Sequence, residues 1–256
     1  MIELNLAGSA GAVRPLFQEA VPDGPRLFSA LNGYHPAIAL ADAADHPQWC
    51  VLRSGWFGRT FIGGQIEPGV LALAVQQLRS TGHVLLDLGD PRSAHYPAGA
   101  TGIEPRIEFY DRPPDDPSLE RWIASVPAHL SLRPVTRETF NACAMQYQCL
   151  SVFGTVSGYL ERSIGFLILE GTRVLSEAHA IFWGDTLVEI GVHTAEGYRG
   201  LGSASIVSAH LIRACEHRGY ATYWGCHVDN LASAAVARKL GYRIENRYTL
   251  AYYPAT

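Results

Sequence analysis

The residues best placed to do chemistry lie in one stretch, Leu187 to Ala204. Glu189 and His193 alternate with Val188, Ile190 and Val192, so on a strand both side chains face the same side. A carboxylate or an imidazole is the usual side-chain acceptor for a proton leaving a nucleophile. The plainer reading of Glu189 is a strand-face glutamate paired with an arginine. A few residues on, Arg199-Gly200-Leu201-Gly202-Ser203-Ala204 sets two glycines at a strand-to-helix turn. Glycine lets the backbone approach a ligand closely, and the free N–H groups at a helix start point the same way. With the helix dipole and the Arg199 side chain added, such a turn suits a pyrophosphate; without a ligand it is simply a connection. Two nucleotide motifs fail on the letters. The P-loop needs Gly-Lys-Ser/Thr, and the only lysine is Lys239; the dinucleotide fingerprint needs a third glycine where Ser205 stands, and Glu216 comes too early to be its acidic residue. Cys226 and His227 are neighbours on a strand and point to opposite faces, which separates them as nucleophile and base.

These residues need a scaffold, and the periodicity supplies one. Leu130 to Val135 reads as a strand, and Thr136 with Glu138 starts a helix running to about Cys149. Three strands follow, Gly165 to Glu170, Arg173 to Trp183 and Thr186 to Thr194, joined at Gly171-Thr172 and Gly184-Asp185. A helix from Gly202 to Arg218 comes next, with Ile206, Val207, Leu211, Ile212 and Cys215 on one side. Ala221 to His227 is a strand, Asn230 to Leu240 a helix with Asn230 as N-cap and Gly241 as stop, and Tyr242 to Tyr253 a last strand. Upstream, Asp111-Arg112-Pro113-Pro114-Asp115-Asp116-Pro117 reads as a linker. Before it, Ile66 to Arg79 is helical, and His83 to Leu88 and Ile103 to Tyr110 are strands. The chain therefore divides into an α/β unit over 1–125 and a second domain over 126–256.

Leu132-Arg133-Pro134-Val135-Thr136, Val188 to Thr194 and Asn230-Leu231-Ala232-Ser233 through Lys239-Leu240-Gly241-Tyr242, together with the loop, resemble the GNAT superfamily of acyl-CoA-dependent N-acyltransferases. That family's pyrophosphate loop reads Arg/Gln-x-x-Gly-x-Gly/Ala, and Arg199, Gly202 and Ala204 match it in register. The resemblance covers roughly Leu130 to Tyr253 and implies an α/β (α+β) fold with a mixed, mostly antiparallel sheet flanked by helices. It also implies acetyl-CoA as co-substrate and no metal. Backbone groups near Val192 and Thr194 would pair with the pantetheine arm, and Arg199, Gly200, Leu201, Gly202, Ser203 and Ala204 would cradle the pyrophosphate. Asn230 and Ser233 would border the pantetheine or the nucleotide end, unless Asn230 is only a helix cap. An amine acceptor near pKa ~10 must lose a proton before attack, so Glu189, or else His193, is the expected base. Many family members carry a tyrosine four residues before the Gly of the Leu-Gly-aromatic block to protonate the leaving thiolate; here Ala237 stands in its place. A non-catalytic CoA-binding regulatory module is therefore the alternative to an active N-acetyltransferase. By spacing, Pro36 to Ala41, Gln48 to Leu52 and the stretch from Phe61 to Asp87 resemble the degenerate first unit of a two-part GNAT family, as a wall of the acceptor cleft or a scaffold. Its conspicuous residues, His35, His46, Trp49 and Trp56, read as packing.

Composition narrows the partners. With 256 residues, 48% hydrophobic, the chain can bury a large core. A net charge of -4 gives no broad basic field for nucleic acid or an anionic membrane. No run of about 18 uncharged apolar residues occurs, and the N-terminus has no signal-like pattern. Five cysteines without CxxC spacing read as reduced thiols in a cytoplasmic protein. A small-molecule amine is the expected acceptor, with no nucleic acid or membrane partner; the oligomeric state is left open, a homodimer among the options.

Overall fold

Period-2 alternation in the first hundred residues serves two helix layers at once. The computed structural model describes residues 1–17, 22–55, 57–114 and 116–256, so Trp56 and Asp115 lie outside the described residues. In chain order the elements begin β1 (Ile2–Leu4), α1 (Leu6–Val13), α2 (Gly24–Leu31), β2 (Ala37–Ala41), β3 (Trp49–Ser54), β4 (Arg59–Gly64), α3 (Pro68–Arg79), β5 (Val84–Asp87) and β6 (Gly102–Tyr110). They continue with α4 (Pro117–Ile123), β7 (Ser131–Pro134), α5 (Arg137–Phe140), α6 (Gln146–Phe153), α7 (Val156–Arg162), β8 (Gly165–Glu170), β9 (Arg173–Trp183) and β10 (Leu187–Thr194). The last four are α8 (Ser203–Glu216), β11 (Ala221–His227), α9 (Leu231–Lys239) and β12 (Ile244–Tyr253). Two units result: Met1–Arg106 with Arg247–Thr256, and Ile107–Asn246.

In the first unit β1, β2, β3, β4, β5 and β12 form a sheet in that order, antiparallel except for the parallel β4–β5 pair. Leu40, Val51, Ile62 and Leu86 meet Leu71, Ala74, Val75 and Leu78 of α3 on one face. The alternating set Ala39, Cys50, Leu52 and Phe61 meets Val13 of α1 and Leu27, Ala30 and Leu31 of α2 on the other. Each large aliphatic side chain fully buried this way contributes about 1.5–3 kcal/mol. The sheet is mixed and carries helices on both faces.

The second unit's sheet runs β11, β10, β9, β8, β7, antiparallel except for β10–β11. Strands β8, β9 and β11 coincide with the expected ones, and β10 begins one residue later than expected. The helix expected from Thr136 to about Cys149 is not continuous: α5 stops at Phe140, α6 starts at Gln146, and α7 follows. The interruption has a physical cause, because the N–H groups of Ala144 and Met145 donate to the buried carboxylate of Glu177 on β9 at 3.0 and 2.6 Å. Local periodicity cannot register such a distant partner. The proline- and aspartate-rich segment leads into α4, and its Arg112 is buried and paired with Glu216 of α8. Among the described residues no helix is long and apolar enough to cross a membrane.

Candidate active site

The site grows out of one divergence between strands. β10 stays paired with β9 from Val188 to Thr194, but its parallel pairing with β11 covers only Leu187, Val188 and Glu189. Beyond Glu189 the described pairings leave the β11-facing edge of Ile190–Thr194 open. The backbone polar groups along that edge that no side chain satisfies must find partners in water or in a ligand. At the mouth, Ser176 fixes the strand end: its hydroxyl donates to His193 O at 3.1 Å and shares a hydrogen bond with Thr194 Oγ1 at 2.8 Å.

The chain then passes a short 3-10 turn, Glu196–Tyr198, and reaches the glycine turn. Gly200 and Gly202 have φ of 81° and 85°, the left-handed region that a Cβ disfavours. Gly202 caps the N-terminus of α8, whose fourteen residues align their peptide dipoles toward this turn. Nothing lies within 4 Å of where a Gly200 Cβ would sit, so the turn faces open space there. Arg199 is exposed, and its Nε donates to Thr194 O at 3.4 Å. Leu201 is exposed, Ala204 half-buried, and Ser203 buried in the first turn of the helix. Val207, Leu211 and Ile212 anchor α8 in the core, holding the turn in place.

Across the splay, Asn230 caps α9 by accepting from Ser233 N at 3.1 Å. Ser233 Oγ in turn accepts from Trp224 Nε1 at 2.9 Å. Both side chains thus hold the start of α9. Ala237 is fully buried, so a tyrosine there would have to displace the atoms packed around its methyl group. His227 accepts from Asp229 N at 3.2 Å, and Cys226 is buried.

Glu189, Gly191 and His193 alternate along β10 onto one face, with Glu189 buried and His193 half-buried near the open end. Cross-strand pairing adds two residues to that face: Glu177 stands opposite His193, and His179 opposite Gly191. Glu177 and His179 are both fully buried, with His179 Nε2 3.7 Å from Glu177 Oε1. His179 Nδ1 shares a 2.8 Å hydrogen bond with Tyr159 OH of α7. The sulfur of Cys143, an oxygen of Glu177 and a nitrogen of His179 lie within 4.8 Å of one another. Burial alone would raise the Glu177 carboxyl, but the imidazole of His179 and the two N–H donors outweigh it and hold it below the ordinary carboxylate value. Burial, with Glu177 beside it, pushes the Cys143 thiol up to about 12. Sequence reasoning missed this cluster. The signal was present as Glu177-Ala178-His179, two ionisable residues two apart between Leu175 and Ile181 in the alternation of the strand.

Comparison with known proteins matches this geometry to a family. The family model of the GNAT acetyltransferases matches residues 100–251. Over 100 residues the chain is 37% identical to the uncharacterized N-acetyltransferase YdfB of Bacillus subtilis (strain 168), covering 39% of this chain and 38% of that relative's length. Among solved structures it resembles a GCN5-related N-acetyltransferase-like protein from Streptococcus suis 89/1591, with 24% identity, TM-score 0.70, and 98% of this chain and 100% of that chain covered. It also resembles a tandem GNAT protein from the clavulanic acid biosynthesis pathway, with 12% identity, TM-score 0.63, and 98% and 94% covered. At these identities the solved structures speak for a common fold. With the splayed strand pair, the two left-handed glycines and a match spanning more than half its length, the chain belongs to the GNAT acetyltransferase family.

Proposed function

We propose that the protein is an N-acetyltransferase that moves an acetyl group from acetyl-CoA to a small-molecule primary amine by direct attack in a ternary complex. The observation that carries this reading is the parting of β11 from β10 after Glu189, with the N-terminus of α8 at its mouth. In this reading the open edge at Val192 and Thr194 pairs with the pantetheine arm. Arg199 and the N–H groups from Gly200 to Ala204 hold the pyrophosphate, with Asn230 and Ser233 bordering the pantetheine or the nucleotide end. The amine lone pair attacks the thioester carbonyl, the C–S bond breaks, and the sulfur leaves as thiolate. Glu189 takes the amine proton, directly or through one water, and His193 at the open end is the second choice. With Ala237 in place of a tyrosine, the thiolate collects its proton from solvent, tolerable for a leaving group whose thiol pKa is ~8.5. The transfer chemistry is assigned to 126–256 and the 1–125 segment is a degenerate unit, in a cytoplasmic protein that needs no metal.

The absent tyrosine also favours a second reading, a CoA-binding regulatory module without turnover. Titrating acetyl-CoA in a thermal-shift assay, with thiol release over a panel of amines, separates the two. Stabilisation with turnover supports the enzyme, and stabilisation alone the module. No stabilisation at millimolar ligand overturns both. Arg199→Ala is expected to weaken acetyl-CoA binding roughly tenfold to a hundredfold, the worth of one charge-assisted contact, with folding unchanged.

A further inference from the structure

The loop between α5 and α6 ends on Met145, and the side chain of Met145 ends on β10. A Cβ at Gly191 would fall 2.5 Å from the Met145 methyl and 3.1 Å from Ile181 Cγ1, so the side chain that glycine lacks is the space these two residues occupy. Gly191 shares its face with Glu189 and His193, the two candidate bases, one on either side of it along the strand. Between two ionisable groups there is thus a patch of thioether and branched hydrocarbon. Ile181 is 5% exposed and Met145 half-buried, so the thioether is the part of the patch that an incoming molecule can reach.

Apolar packing is not all that places Met145 there. Its N–H donates to Glu177 Oε1 at 2.6 Å, beside the N–H of Ala144 on the other carboxylate oxygen. Glu177 in turn lies 3.7 Å from His179 Nε2, and His179 Nδ1 is hydrogen-bonded to Tyr159 OH. Glu177 stands on β9 opposite His193, so the strand pair that carries the candidate bases also fixes the backbone of Met145. A methionine side chain is unbranched and adapts to irregular surfaces. With its backbone held, only the thioether end can adapt, and a wall supported in this way is placed more precisely than one on a free loop.

We propose that Met145 determines acceptor specificity: the acceptor is a primary amine with an apolar, preferably aromatic, substituent that packs on the Met145 thioether. The inference rests on the transferase reading, in which the reacting amine comes within hydrogen-bond reach of Glu189. Two residues along a strand span about 7 Å, and a two-carbon arm ending in a ring covers that distance from Glu189 to Met145. Sulfur makes favourable contacts with aromatic ring edges. A hydroxyl or second ammonium carried to the same place would give up water against a thioether and an isoleucine, which offer little in exchange.

The test uses the full chain and two primary amines with two-carbon arms, phenethylamine and ethanolamine. In thiol release at saturating acetyl-CoA, phenethylamine is expected to show the lower KM. Met145→Gln keeps the length of the side chain and makes its end polar. It should raise the phenethylamine KM about tenfold with kcat near wild type, and leave the ethanolamine KM and the acetyl-CoA affinity in place. A second readout needs neither a variant nor turnover. The chain has two methionines, so methyl ¹³C labelling of methionine gives one probe on the patch, Met145, and one control, Met1, exposed in the first unit. Phenethylamine, added with and without CoA, should shift the Met145 methyl through its ring current and leave Met1 unmoved; ethanolamine should move neither. An unmoved Met145 methyl, or a variant that changes both amines alike, overturns the proposal, and thiol release in that case leaves the transferase reading standing. A Met145 shift without thiol release from any amine supports the amine site and overturns the transferase instead.

Discussion

In the first unit β3 is paired along its length on both sides and helices cover both faces of the sheet, whereas in the second unit β11 follows β10 for three residues and then leaves it. The first unit has a parting of its own, because the parallel β4–β5 pairing covers only Arg59 and Thr60, but Arg92 fills it by donating to Ile62 O and Gly64 O at 2.7 and 2.9 Å. The second leaves an edge of β10 to be completed from outside, tolerable only because solvent or a ligand can reach it. Charge follows the same division. In the first unit Asp23 and Arg59 are buried against each other, while in the second Glu177 spends its charge on the N–H groups of a helix-breaking loop. A parting of parallel strands that stays unfilled, as after Glu189, is the surface that the proposed reading assigns to the ligand.

The comparison breaks most easily at the turn. Gly202→Val puts a β-branched side chain at φ 85° and within 3.3 Å of the Trp122 ring, so acetyl-CoA affinity should fall by more than about a hundredfold. Titration of the variant, with circular dichroism to verify folding, checks this; near-normal affinity would make the turn a mere connection. Next in size, Glu189→Gln should lower kcat by about a hundredfold while acetyl-CoA affinity stays near wild type, the signature of a lost general base. An unchanged rate would shift the role to His193. The remaining effect is on stability alone and belongs to the first unit. His35 is bonded to Ser29 Oγ and Ser54 Oγ at 3.2 and 2.9 Å, and its pKa falls from 6.5 to about 3. Because the folded value is the lower one, the unfolded chain takes up a proton first. Stability is therefore complete above pH 6.5 and declines toward pH 3 by at most ~1.4 kcal/mol per pH unit. Denaturant midpoints across that window should show the slope in the wild type and a shallower one in His35→Gln. Equal slopes would assign the acid sensitivity elsewhere.

The strands β8, β9 and β11, the glycine turn and the caps at Asn230 and Gly241 were legible because their causes are local: alternation, turn residues and side chains that reach their own backbone. The break between α5 and α6 was not, since Glu177 supplies it from more than thirty residues away. Helices α1 and α2 also escaped. α1, Leu-Ala-Gly-Ser-Ala-Gly-Ala-Val, has too few large apolar residues to show a stripe, and α2 opens on Asp23-Gly24-Pro25, residue types that read as a turn. Among the candidate site residues, the face shared by Glu189 and His193 followed from parity alone. Its extension onto Glu177 and His179 needed the register between β9 and β10.

All five cysteines are buried, and burial pushes the thiols of Cys50, Cys143 and Cys215 up to about 12. At neutral pH such a group is ionised in only about one molecule in 10⁵, and the thiolate is the form that attacks disulfides. A protein proposed to release a free thiol at every turnover therefore has little tendency to form mixed disulfides with its own product. The same seclusion gives a bench advantage: in the native state a chromogenic disulfide reagent should titrate the released product and leave the protein's five thiols untouched, until denaturant exposes them.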